Sequence, residues 1–78
     1  MGKGGVYMEN HRICEFGKEI KKRLVDIDKT HEWLISEVRE ETGLYFDRSY
    51  LYKIMSGKAT PSKIIASIKK ILDLADSD

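Results

Sequence analysis

Start and stop signals at Thr30, Gly43, Asp47 and Gly57 cut the middle of this chain into two short segments. That punctuation constrains the fold more than any other feature. Thr30 and Asp47 carry side-chain oxygens suited to capping the unpaired amides of a first helical turn. Glycine takes the left-handed conformation in which helices end more readily than any other residue. Thr60-Pro61 adds a third start, a capping hydroxyl followed by proline at the first helical position. Pro61 is the only proline and strand-like alternation is absent, so the pattern reads as helix throughout.

Between these signals the apolar residues recur at helical spacing. Ile13, Phe16, Ile20, Leu24 and Ile27 form one stripe, which predicts a first helix from about residue 11 to Ile27. Lys18, Lys21, Lys22 and Arg23 fall mostly on its opposite side, and Asp28-Lys29 makes the turn. A second helix starts from the Thr30 cap, turns Leu34, Ile35 and Val38 inward and ends near Thr42-Gly43. Leu44-Tyr45-Phe46 is too hydrophobic for an idle loop, and Leu44 and Phe46 are expected in the core. Asp47 caps a third helix, about residues 48–56, with Gly57 as its terminator. The fourth carries Ile64, Ile65, Ile68, Ile71 and Leu72, the cleanest stripe in the chain.

Seventy-eight residues make one domain, close to the lower limit for a core without staples. A single cysteine, Cys14, forms no internal disulfide, which points to a reducing cytoplasm. The longest apolar runs are pairs and triplets, too short to span a membrane. Residues 9–74 are read as the domain and 75–78 as a frayed tail. Residues 1–8, glycine-rich and without periodicity, are read as a disordered leader or tag. Lys3-Gly4-Gly5 can be encoded by a purine-rich ribosome-binding signal just ahead of Met8, so the natural start is expected at Met8.

The net charge is only +1, but its distribution is uneven. Residues 47–70 carry Arg48, Lys53, Lys58, Lys63, Lys69 and Lys70 against Asp47 alone, six cations to one anion, a net +5. Such gathering suits a protein presenting one face to a polyanion, although lysines also fill ordinary solvated faces. In a helix starting at Arg48, the residues at 48, 49, 52 and 53 cover about 140° of one side at about 100° each. Leu51 and Ile54 take the other side.

That outer face has the chemistry of major-groove readout, with an ordinary solvated face as the plainer reading. The Arg48 guanidinium can pair with both acceptors of guanine. Ser49 can bond a base edge, Tyr52 offers a ring to a thymine methyl or a hydroxyl to phosphate, and Lys53 reaches guanine or phosphate. Thr30 and His31, at the start of the second helix, present free amides suited to a phosphate. Gly57 and Lys58 can clamp another, with Lys63 nearby. His31 reads equally as a plain surface histidine.

Three stretches carry a family resemblance: Phe16-Gly-Lys-Glu-Ile20-Lys-Lys-Arg-Leu24, Thr30 to Leu34, and Ser49-Tyr-Leu51-Tyr-Lys-Ile54-Met-Ser-Gly57-Lys58. Together they resemble the lambda-repressor-like (Xre-type) helix-turn-helix family of phages and bacteria, over about residues 14–74. The resemblance implies an all-α, compact bundle of four to five helices with the third as recognition helix. It maps base contacts onto Arg48, Ser49, Tyr52 and Lys53, and phosphate contacts onto His31 and the Gly57-Lys58 region. The chain departs from the pattern at bulky Ile35, at Arg39 where glycine is usual, and in a longer connector before the third helix. A second helix extended to Gly43 accounts for all three.

Other classes fit less well. His31-Glu32 opens like a zinc-protease motif, but Ile35 stands where a second histidine is needed. No glycine-rich phosphate loop appears, and two histidines with one cysteine are too few for a metal site built without carboxylates. No enzyme, cofactor, metal or small-molecule ligand is therefore expected. The rival is an antirepressor or adaptor on the same scaffold; Trp33 reads first as an edge-of-core residue, but exposed beside Tyr45 it would anchor a partner. The leading expectation is a cytoplasmic, phage- or bacterial-type transcription regulator bound to double-stranded DNA as a homodimer.

Overall fold

The computed structural model describes residues 13–74, which form α1 (Glu15–Asp26), α2 (His31–Thr42), α3 (Arg48–Met55) and α4 (Ser62–Leu72). The described residues hold four helices and no strand. The leader at 1–8, the start at Met8 and the tail at 75–78 lie outside them.

The caps decide where each helix begins. Thr30 Oγ1 accepts the Trp33 amide at 3.0 Å, and Asp47 Oδ1 accepts the Tyr50 amide at 2.9 Å. Two starts differ from expectation. α1 opens at Glu15 rather than near residue 11, because Cys14 has an extended backbone and its Sγ accepts the Gly17 amide at 3.4 Å. Pro61 is the N-cap of α4, not its first helical residue, and Thr60 makes no cap. Proline fixes φ but leaves ψ free. With ψ at 114° Pro61 stays outside the helix while its carbonyl accepts the Ile65 amide at 2.9 Å.

The helix ends use left-handed residues, as the glycines predict: Gly43 follows α2 with φ 70° and Gly57 follows α3 with φ 82°. After Gly57 the Lys58 amide returns to the Lys53 carbonyl at 2.8 Å, satisfying one of the last-turn acceptors of α3. Asp28 and Asp73 serve the same purpose after α1 and α4, with φ of 60° and 57°.

Ile20 and Leu24 of α1, Leu34, Ile35 and Val38 of α2, and Ile64, Ile68 and Leu72 of α4 bury their side chains in one core with Leu51, Ile54 and Met55 of α3. The connector contributes only Phe46, which is 1% exposed. Leu44, expected inside, is 41% exposed. Its amide donates to Thr42 Oγ1 at 3.1 Å straight after the left-handed Gly43, which holds Leu44 on the bend. Arg23, expected on the solvated side of α1, instead donates from Nε to the Leu72 carbonyl at 2.8 Å. It thereby satisfies an end of α4.

α1 and α3 meet through their backbones. The Cys14 amide donates to the Met55 carbonyl at 2.8 Å, and Cys14 Sγ to the Ile54 carbonyl at 3.6 Å. A Cβ on Gly17 would stand 2.3 Å from that same Met55 oxygen, so only glycine admits this approach.

Candidate nucleic-acid interface

α3 has a buried back and a polar front. Leu51, Ile54 and Met55 face the core, and Tyr50 leans on Phe46 with ring centroids 5.7 Å apart. Arg48, Ser49, Tyr52 and Lys53 are all exposed. The division follows from the sequence, because every polar residue of this short helix except the half-buried Tyr50 falls on one arc. The Asp47 cap at the head of α3 is held in turn by Tyr45, whose hydroxyl donates to Oδ2. That bond, with the Tyr50 amide, keeps the Asp47 carboxyl below its usual range and pushes the Tyr45 phenol up.

The start of α2 lies against this front. His31, the first residue of α2, is half-buried, with its ring edge-on to Tyr52 at 6.4 Å between centroids. Its Nε2 is buried without a hydrogen-bond partner among the described residues. Burial lowers the His31 pKa from 6.5; the Arg48 and Lys21 charges push the same way, and Glu32 opposes them. Glu32 accepts a charge-assisted hydrogen bond from Arg48, joining the first turns of α2 and α3. That bond raises the Arg48 pKa further.

The sequence-chosen residues therefore fall into two groups. His31, Tyr52 and Arg48 are drawn together, with Ser49 and Lys53 on α3 and Thr30 as the cap of α2. Gly57, Lys58 and Lys63 are exposed at the other end of α3 and the start of α4. Among the described residues, the contacts that gather the first group do not extend to the second. Sequence reasoning missed Glu32 and Lys21 as members of the site. Glu32 lies 16 positions from Arg48, beyond any local periodicity, and Lys21 read only as a solvated lysine of α1.

The assembled groups are donors, acceptors and two aromatic rings, those of His31 and Tyr52, at the surface. Among the described residues no three His, Cys, Asp or Glu side chains are placed to hold a metal ion. No described helix is long and apolar enough to cross a membrane. Comparison of the chain with protein-family models, with curated proteins and with solved structures finds no match.

Proposed function

We propose that this protein is a sequence-specific, non-catalytic DNA-binding regulator of phage or bacterial type, acting in the cytoplasm. On this reading α2 and α3 form a helix-turn-helix, and α3 enters the major groove. The observation that carries the reading is the polar front of α3, where Arg48, Ser49, Tyr52 and Lys53 are exposed opposite buried Leu51, Ile54 and Met55. Arg48 reads guanine, Ser49 and Tyr52 contact neighbouring bases, and Lys53 reaches a base or phosphate. Thr30 and His31 seat one phosphate at the start of α2, and Gly57, Lys58 and Lys63 hold the backbone beyond α3. A module this small gains useful specificity as a homodimer on an inverted repeat.

Selection from a random duplex library, repeated at two salt concentrations, tests this. Binding through about four to six phosphates gives a log–log salt slope near −4 to −5, and one sequence family is enriched. Arg48→Ala then lowers affinity for the selected site by about 10- to 100-fold, the worth of one bidentate base contact. Absence of salt-dependent binding overturns the proposal.

A rival reading, an antirepressor or adaptor that docks another protein, has one observation in its favour. Leu44 and Tyr45 are adjacent and exposed, the second by 75%. Trp33 is packed against the core rim, with Lys29 Nζ 5.4 Å from its ring centroid, and offers no free anchor. An interface centred on Leu44 and Tyr45 would respond weakly to salt, so the same titration separates the two readings.

A further inference from the structure

Among the described residues, Glu32 is the acidic group that forms an ion pair with the front of α3, and its partner Arg48 is the residue best suited to read a base. Both side chains are more than half exposed, 65% for Glu32 and 55% for Arg48, so the pair adds little to the stability of the fold. Its consequence lies in what Arg48 can do next.

We infer, on the DNA-binding reading above, that Glu32 is a specificity-determining residue: paired with Arg48, its carboxylate keeps the guanidinium from binding DNA backbone indiscriminately. A carboxylate and a phosphate compete for the same guanidinium fork. A DNA phosphate brought to Arg48 stands beside the Glu32 carboxylate, whether it displaces that carboxylate or takes the donors left free. Like charges at that separation repel, and the contact gains little. Guanine offers a different bargain. The Glu32 bond uses Arg48 Nη2 alone, and a guanidinium carries five N–H donors. The remaining donors can meet the neutral O6 and N7 acceptors while Glu32 stays in place. The neighbouring His31 and Lys21 are cationic or neutral and Asp47 faces Lys53, so among the described residues Glu32 is the carboxylate that acts on Arg48.

Removing that charge should therefore raise the wrong affinity more than the right one. Glu32→Gln keeps the shape and removes the carboxylate. On random-sequence duplex its affinity should rise about 3- to 10-fold at low salt, and its log–log salt slope should steepen by about one as Arg48 takes up a phosphate. Affinity for the library-selected site should change less, so the ratio of specific to random binding falls. In an Arg48→Ala background, Glu32→Gln should no longer steepen the slope. Unchanged melting temperatures show that the fold is not what moved. Equal gains on both duplexes, or steepening that survives without Arg48, overturn the inference and leave DNA binding standing. Failure of the wild-type chain to bind either duplex overturns the DNA reading and this inference together.

Discussion

α3 and α4 are the two shortest helices; both bury one side in the core, and they differ in how closely α1 approaches them. α4 lies against α2 and buries Ile64, Ser67, Ile68 and Leu72, so side-chain burial holds it. α3 buries Leu51, Ile54 and Met55 and is also clasped from behind at its last turn, where the Met55 and Ile54 carbonyls take the amide and thiol of Cys14 and Gly17 presses on Met55. Backbone contact at one end leaves the front of α3 uncommitted. The difference teaches that a backbone contact can reinforce a short buried stripe without using the side chains that a binding face needs.

The comparison can be broken at either anchor. Ile68 is fully buried, and Ile68→Ala should cost about 2–5 kcal/mol by denaturant unfolding, a large share of the stability of so small a domain. Gly17→Ala tests the other anchor through the sign of its effect. Helix propensity alone would give a gain of about 1 kcal/mol. The Cβ would stand 2.3 Å from Met55 O and 2.6 Å from Ile13 Cγ2, so a net loss of about 1–3 kcal/mol is expected instead. A gain would mean that α1 and α3 do not touch in this way. Ser67 sharpens the account of α4, because its hydroxyl is buried with no partner among the described residues. Ser67→Ala removes that desolvated group and should raise stability by about 1 kcal/mol.

The same contrast explains what the sequence disclosed. The α4 stripe was legible because side-chain burial writes a periodic apolar pattern, and the caps at Thr30 and Asp47 were legible because each needs an oxygen at one position. The α1–α3 seam wrote no such pattern. A glycine inside an amphipathic helix and a cysteine before it carry no sign of the carbonyl they will meet. Leu44 misled because hydrophobicity predicts burial on average, while the Thr42 hydroxyl and Gly43 fixed the local path. At the candidate site, exposure of Arg48, Ser49, Tyr52 and Lys53 followed from helical geometry. The Glu32 partnership did not, since it depends on how two helices are set against each other.

His31 gives the smallest expected effect, because its ring is only half-buried and water screens the charges around it. It probes the front of α3 directly. Burial together with Arg48 and Lys21 lowers its pKa from 6.5, against the pull of Glu32, and Tyr52 covers it edge-on. The unfolded chain therefore takes up the proton more readily than the folded one. The stability contribution of a neutral His31 is fully present above pH 6.5 and is lost as pH falls from there through the folded pKa. Melting followed between about pH 7.5 and 5.5 should show that slope, and His31→Gln should flatten it. A phosphate seated at the start of α2 would reverse the local balance by favouring the protonated ring. DNA affinity should then rise with acidification over the interval in which stability falls. Opposite slopes in one protein, both removed by His31→Gln, would put the histidine at the phosphate; slopes of the same sign would place the DNA elsewhere.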